Sequence, residues 1–273
     1  MQYDPIKRSL GNVFNRSVFL RRVFYNLLDL LLLRTWHIKK ELNSISKNSA
    51  GFESILDAGS GFGQYDYYLS KRFPQAKILG LDVKSEQVDD CNNFFGKLDK
   101  PNIRFQTADL TAIEFRDQFD LVLCVDVMEH IEEDRKVLTN YYNALRTGGV
   151  LLISTPSDQG GSDVHHHDDQ HDGAVGFIDE HVRDGYAIAD LKEKLETAGF
   201  SRTELRYQYG RPGKISWRLS MKYPIQLLNF SKLFFILLPV YYLVVFPLCL
   251  LLNRMDTNYS QHTGTGLIAV AWK

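Results

Sequence analysis

Cysteine is scarce. Cys91, Cys124 and Cys249 are the three in 273 residues, they lie far apart, and no pair has the Cys-x-x-Cys spacing. This argues against a cysteine-based zinc site and a disulfide framework, and a reducing compartment is the default. A secretory leader is also lacking in pattern: the first apolar run follows Arg21 and Arg22, is interrupted by Asp29, and leads into Arg34 without a small-residue cleavage site. Net charge is close to absent as well, at -1, but that balance conceals an asymmetry. Residues 1–50 carry 9 Lys/Arg against 3 Asp/Glu, residues 201–254 carry 8 against 1, and residues 51–200 carry 14 against 28. Basic flanks around an acidic middle point to an anionic partner, either nucleic acid or a membrane surface. The flanks are rich in long aliphatics rather than in aromatics spaced among polar residues, which argues against nucleic acid.

One stretch organises the chain. Ile55 to Tyr65 reads Ile-Leu-Asp-Ala-Gly-Ser-Gly-Phe-Gly-Gln-Tyr: a short apolar strand, an acid, and three alternate glycines. Such a loop brings backbone N–H and C=O groups against a ligand. A dinucleotide fingerprint needs a third glycine where Gln64 stands, so a nicotinamide oxidoreductase is disfavoured. Asp57, just before the glycines, suits a cationic or amine-bearing ligand.

Strands and helices then alternate as a parallel α/β sheet requires. Expected strands are 54–58, 77–81, 103–107, 120–125 and 150–154, with a helix over 63–73 and a polar linker over 43–51. Asp82 closes the second strand, where a carboxylate can accept from ribose hydroxyls. Asp109 follows the third strand, where an acid can accept from an adenine amino group.

The spacing of Asp57-Ala-Gly-Ser-Gly-Phe-Gly, Leu81-Asp82, Ala108-Asp109-Leu110 and Asp120-Leu-Val-Leu-Cys-Val-Asp-Val-Met-Glu-His130 resembles the class I S-adenosylmethionine-dependent methyltransferases. Within them it most resembles the small-molecule branch that includes quinone-biosynthesis enzymes. The resemblance covers about Glu53 to Phe200 and the last strand. It implies a seven-stranded Rossmann-like α/β sheet with helices on both faces and S-adenosyl-L-methionine as cofactor. The loop residues Asp57, Gly59, Ser60, Gly61, Phe62 and Gly63 would hold that cofactor, with Gly59 and Gly61 along its methionine portion. Asp82 would take the ribose, Asp109 and Leu110 the adenine, and Val125, Asp126 and Val127 the sulfonium end; Phe62 and Val83 would be apolar walls. A last antiparallel pair is expected over 201–209 and 266–272, separated by about 55 residues where the family usually has a near-hairpin.

Methyl transfer from a sulfonium is an in-line displacement that rests on positioning and exclusion of water. Candidates for handling the acceptor are His165, His166 and His167 in the stretch Asp163 to His171, and His130 after the fourth strand. Metal binding is not expected, because neighbouring histidines point different ways and no second ligand cluster accompanies them. His181 and Arg183 open a helix, where capping or lid closure is the plain alternative.

Two apolar segments remain. Residues 18–36 read as a helix with Arg22, Asn26 and Asp29 on one stripe, either buried against the domain or lying in a membrane interface with Trp36 at the boundary. Leu233 to Leu252 is 20 residues of almost continuous apolar character, broken by Pro239 and Pro247. It reaches about 30 Å as a helix, yet the strands on either side belong to one sheet, so a single crossing is excluded. A re-entrant or interfacial hairpin and a soluble cap remain.

The organisation expected is a basic helical extension over 1–50, the cofactor-binding core over 51–210, a hydrophobic helical insertion over 211–263 and the last core strand over 264–273. The expected function is methyl transfer to a small, lipophilic or membrane-associated acceptor by a cytoplasmic protein, peripheral or monotopic on an anionic membrane surface, without nucleic acid. The alternatives are a soluble enzyme for a polar metabolite and a catalytically silent cofactor-binding subunit.

Overall fold

A computed structural model describes residues 17–47, 51–160 and 182–273, apart from the side chains at 230, 232 and 233. The chain begins with α1 (Val18–Leu31) and α2 (Leu33–Lys47). It continues through β1 (Ser54–Ala58), α3 (Gln64–Arg72), β2 (Lys77–Asp82), α4 (Ser85–Lys97), β3 (Ile103–Thr107) and β4 (Phe119–Val125). After a 3-10 turn over Met128–His130 come α5 (Asp134–Ala144), β5 (Leu145–Pro156), α6 (Ile188–Ala198) and β6 (Arg202–Gln208). A helical insertion follows: α7 (Arg211–Trp217), a π-helical turn (Arg218–Lys222), α8 (Tyr223–Phe230), a second 3-10 turn (Lys232–Ile236) and α9 (Leu238–Asn258). The strand β7 (Gly266–Trp272) returns to the sheet.

The strand order is β3-β2-β1-β4-β5-β7-β6. The first five strands run parallel, and β7 is antiparallel to both β5 and β6. This is the seven-stranded sheet with helices on both faces that the family resemblance implies. Strands covered on both faces need apolar residues at successive positions. Ile55-Leu56 and Leu121-Val122-Leu123-Cys124 supply them, all without exposure. Alternation then sorts them by face. Ile55, Leu121 and Leu123 pack with Ile38, Leu42, Leu69 and Phe95; Leu56, Val122 and Cys124 pack with Val137, Leu138, Leu191 and Leu195. β1 and β4 are neighbours although β2 lies on the other side of β1, so a crevice opens above their carboxyl ends.

The N-terminal segment differs from expectation. α1 starts where Ser17 Oγ accepts from the Leu20 N–H at 3.1 Å. The expected single helix over 18–36 breaks at Leu32, whose backbone is extended, and the second helix runs on to Lys47 through the expected linker. The cause is tertiary: Leu33, Thr35, His37 and Ile38 turn into the protein, while Leu27 and Leu30 stay exposed. Arg21, on the segment for which a membrane interface is one of two readings, is 3% exposed and points into the domain.

The insertion folds back on itself. Ser216 Oγ donates to the Cys249 carbonyl at 3.3 Å, and the Tyr241 and Tyr242 hydroxyls donate to the Leu219 and Ser220 carbonyls at 2.6 and 2.7 Å. It is tied to α2, where Lys40 Nζ donates to the Thr257 carbonyl at 2.5 Å. Among the described residues α9 is the one helix long and apolar enough to cross a membrane, and the rest of the protein covers little of it. Leu243 and Val244 are 78% and 72% exposed.

Candidate functional site

The crevice above β1, β2 and β4 gathers the strand-end acids and the glycine loop. Gly59 has φ +87, and a Cβ there would stand 2.2 Å from Val127 Cγ2. Only glycine allows that turn to pass beneath the end of β4. Gly61 has φ +54 with the reverse surroundings: a Cβ would meet nothing nearer than Gln87 Oε1 at 4.0 Å. The loop's outer edge is therefore open, with backbone available to a ligand. The N–H groups of Gly59 and Ser60 both donate to the Leu81 carbonyl at 2.8 Å, anchoring the loop to β2. Asp82 fixes it further, one carboxylate oxygen accepting from the Gly61 N–H and the other from the Lys84 N–H, each at 2.9 Å. Each oxygen retains a lone pair for another donor.

Asp57 is 1% exposed and its Oδ2 finds no hydrogen-bond donor; Asp66, from α3, is fully buried beside it, and neither of its carboxylate oxygens finds one. Burial pushes the Asp57 carboxyl up to about 7, with repulsion from Asp82 adding to the rise and the neighbouring Asp66 carboxyl opposing it. Burial and the charge of Asp57 hold Asp66 well above the usual carboxylate range, so Asp66 keeps the proton of the pair at neutral pH. A buried acid with an orphaned oxygen at the base of an open backbone cradle fits a cationic ammonium. Ser60 Oγ is a second buried and unpartnered atom in the same loop.

At the end of β4, Asp126 adopts φ +52, and its N–H donates to the Ser154 carbonyl at 2.8 Å. Its carboxylate is paired with Arg34 from the start of α2. Three residues on, Glu129 is 1% exposed and accepts from Thr155 Oγ1 at 3.1 Å. Burial, with the charge of Asp126, pushes its carboxyl up to about 8. Val125 is buried and Val127 half-buried at the same strand end.

The loop is also held from outside. The Phe62 carbonyl accepts from Arg21 Nη2 at 2.8 Å and from the Tyr25 hydroxyl. Arg21 in turn reaches Asp90 at 2.5 Å and lies over the Phe94 ring at 4.5 Å. Thus α1 is a clamp on the glycine loop. The sequence held a signal for it: Arg21 and Tyr25 stand four apart, on one helix face and apart from the Arg22 stripe.

The remaining expected residues fall as follows. Gly63 caps α3 in a left-handed conformation, Phe62 is 38% exposed and Val83 57% exposed at the crevice, and Leu110 is buried. Asp109 is exposed at the end of β3; its Oδ1 accepts from the Thr111 N–H and Oγ1, both at 2.8 Å, and these bonds hold it below the usual carboxylate range. His130 is exposed on the 3-10 turn. His165, His166, His167 and His181 lie outside the described residues. Arg183, expected to open a helix, instead pairs with Asp134 and donates to the Ile131 carbonyl at 2.6 Å. Arg34, Asp66 and Glu129 were not singled out from sequence, because nothing in their local spacing reveals which strand end they meet.

The methyltransferase-domain family matches residues 55–149. The chain is similar to the trans-aconitate 2-methyltransferase of Deinococcus radiodurans, 30% identical over 107 residues that cover 39% of each protein. It is also similar to the ubiquinone biosynthesis O-methyltransferase of Coxiella burnetii, 26% identical over 102 residues, covering 37% of this chain and 42% of that one. The chain thus spans less than half the length of these relatives. Among solved structures, phosphoethanolamine N-methyltransferase 2 of Haemonchus contortus, in complex with phosphomonomethylethanolamine and S-adenosylhomocysteine, superposes with a TM-score of 0.57. That match is 18% identical and covers 87% of this chain and 52% of that one.

Proposed function

We propose that this chain, whose residues 55–149 are a methyltransferase domain within a class I S-adenosylmethionine-dependent fold, transfers a methyl group to a small lipophilic acceptor at a membrane surface. When bound, S-adenosylmethionine supplies an electrophilic methyl carbon on a positively charged sulfur, and the acceptor's electron pair forms the new bond as the carbon–sulfur pair stays with sulfur. Asp57 receives the ammonium group, an assignment that its orphaned Oδ2 supports most directly. Gly59, Ser60, Gly61 and Gly63 shape the backbone cradle, and Phe62 and Val83 wall it. Asp82 accepts from the ribose hydroxyls, Asp109 and Leu110 meet the adenine, and Val125, Asp126 and Val127 border the sulfonium. Positioning and water exclusion by these groups lower the barrier. His130 and His165 to His167 remain candidates for acceptor handling.

The lipophilic acceptor rests on the insertion. α9 exposes Val240, Leu243, Val244, Leu248 and Leu251, and the turn before it exposes Phe235 and Ile236. Its flanks β6 and β7 are hydrogen-bonded neighbours, so both ends of the insertion stay on one side of a bilayer. An anionic surface is favoured by charge: an open groove of about 640 Å³ at the polar end of α9 is lined by Trp36, Lys40 and Lys47, together with Lys39 and the Asp29 it pairs with at 2.7 Å. Exposed Arg211, Arg218 and Arg254 add to it. Each basic group near such a leaflet contributes about 1 kcal/mol. The protein is then monotopic on the cytoplasmic face.

The test is transfer of labelled methyl from S-adenosylmethionine by the full chain into organic-extractable and aqueous metabolite fractions, alongside calorimetry with S-adenosylhomocysteine. Label in the organic fraction is expected. Label only in the aqueous fraction supports a soluble enzyme for a polar acceptor; tight binding without transfer to any fraction supports a silent subunit. Absence of S-adenosylhomocysteine binding would overturn the cofactor assignment.

A further inference from the structure

The helix α1 presents two different faces. Arg21, Tyr25 and Asp29 stand at i, i+4 and i+8, so they share the face turned to the glycine loop. Arg21 Nη2, at 2.8 Å, and the Tyr25 hydroxyl donate to the Phe62 carbonyl, and Asp29 Oδ1 accepts from Gln64 Nε2 at 2.9 Å. The Phe62 ring packs on Phe24 and Tyr25, with centroids 6.0 Å from each. Phe62 stands between Gly61 and Gly63, both left-handed, and backbone of that kind has many alternatives to the conformation seen. The direction of its carbonyl is therefore set by α1.

The opposite face is apolar and exposed. Phe19, Leu27 and Leu30 lie along it at i, i+8 and i+11, with exposed Arg22 at its edge. A helix of 14 residues is marginal in water on its own, so its seat on the loop depends on what each face touches. We propose that a lipid surface covers the outer face of α1 and thereby couples attachment to the cofactor site. Lipid contact holds α1 on the glycine loop and tightens S-adenosylmethionine binding, and bound cofactor tightens attachment by the same factor. The inference rests on the membrane and cofactor readings above for its two ligands, and on α1 for the link between them.

Lipid is favoured over a protein partner by where α1 ends. Leu31 and Leu32 wall a small cavity together with Trp217 and Met221 of the insertion. The Leu30 carbonyl accepts from Trp36 Nε1 at 3.1 Å, and Trp36 shares the basic groove with Thr257 and Asn258 at the end of α9. The exposed leucines of α1 thus lie beside the point where the apolar α9 leaves the body, and an indole at that level is the side chain that bilayer interfaces favour. Charge agrees: Lys7, Arg8 and Arg16, against Asp4, precede the helix in sequence. Because the loop is shaped for cofactor only while α1 is seated, apparent affinity falls with the seated fraction, and a surface that raises the fraction raises the affinity.

The test is calorimetry with S-adenosylhomocysteine on the full chain, in solution and bound to vesicles of equal parts phosphatidylcholine and phosphatidylglycerol. Binding should be about fivefold tighter on the vesicles, and saturating S-adenosylhomocysteine should raise vesicle partition by about the same factor. Leu27→Ser with Leu30→Ser should still float through α9 and keep its solution affinity within about twofold, while the vesicle effect falls below about twofold. Tyr25→Phe removes one bond to the loop and keeps the ring; it should weaken binding in solution, and the ratio between the two phases should widen as lipid restores the seat. Equal affinity in the two phases for protein that floats, or a vesicle effect that survives in Leu27→Ser with Leu30→Ser, would overturn the inference alone. Protein that stays off the vesicles, or that binds no S-adenosylhomocysteine in either phase, overturns the reading beneath it and the inference with it.

Discussion

His37 Nε2 lies 2.9 Å from Asp256 Oδ1, with both side chains wholly buried, and this contact joins α2 to the end of α9. Burial holds the imidazole below its usual value, against the Asp256 hydrogen bond that raises it. The ring is therefore neutral, with Nε2–H donating to Asp256 and Nδ1 facing Arg206 Nη1 at 3.3 Å. Asp256 also accepts from the Tyr209 and Gly213 N–H groups at 3.1 and 3.0 Å.

This joint is acid-sensitive. A base whose folded-state value is depressed contributes stability that is present above its unfolded value, about 6.5, and is lost as pH falls through the folded value. Urea midpoints should therefore fall between pH 7.5 and 5.5, and His37→Gln should flatten that slope. Asp256→Ala removes a charged acceptor from several bonds and should cost at least about 3 kcal/mol at neutral pH. An unchanged midpoint in Asp256→Ala would show that the joint does not hold the insertion.

Cofactor affinity should rise with pH through the Asp57 ionisation. A carboxyl raised to about 7 contributes stability that is present below its unfolded value, about 3.9, and is lost as pH rises through about 7. The ionised form is the one that pairs with an ammonium group. Calorimetry with S-adenosylhomocysteine should give about tenfold tighter binding at pH 8 than at pH 6. Asp57→Asn should bind more weakly and lose this pH dependence. A slope that persists in Asp57→Asn assigns the titration to another group.

Gly59→Ala tests the passage beneath β4. A Cβ at φ +87 costs about 1–2 kcal/mol in backbone conformation, before the 2.2 Å approach to Val127 is counted. S-adenosylhomocysteine binding should fail, and Gly59→Ala with Val127→Ala should recover part of it, since that pair relieves the steric share alone. Equal loss in the single and double variants would place the whole cost in the backbone.

The exposed α9 residues can be charged without touching the core. Leu243→Glu with Val244→Glu should leave the thermal midpoint in place and abolish flotation with anionic vesicles. Burial of each such side chain contributes about 1.5–3 kcal/mol, so the pair accounts for a hundredfold change or more. Intact protein that stays unbound on anionic and neutral vesicles alike, and is monodisperse without detergent, would return α9 to the role of a soluble cap.

The sheet was legible because buried parallel strands write themselves as short apolar runs ending in polar turns. Ser54–Ala58 and Phe119–Val125 fall within a residue of where their apolar runs place them, and the antiparallel Gly266–Trp272 falls where the family resemblance places it. The break at Leu32 was not legible, since Leu30 to Leu33 are all leucine and mark no stop. What sets it is the Arg34 N–H donating to the Tyr209 hydroxyl at 3.0 Å, a contact across 175 positions. The glycine loop and its strand-end acids could be found from spacing, whereas Asp66 beside Asp57 and Arg34 against Asp126 are products of folding. Arg21 shows the limit of reading charge as exposure: it stands on a helix that also reads as interfacial, and its guanidinium serves a carbonyl of the glycine loop.

The place of β7 in the sheet has a consequence for biosynthesis. Gly266–Trp272 is translated after the six strands it joins, yet it lies between β5 and β6 and hydrogen-bonds to both. Until it emerges, β6 has no neighbour and β5 presents an open edge. The insertion, translated before it, leaves the ribosome while its anchoring sheet is incomplete. Vectorial synthesis at about 5–20 residues per second therefore gives the hydrophobic hairpin an interval of seconds to meet a lipid surface or a chaperone before the sheet can close.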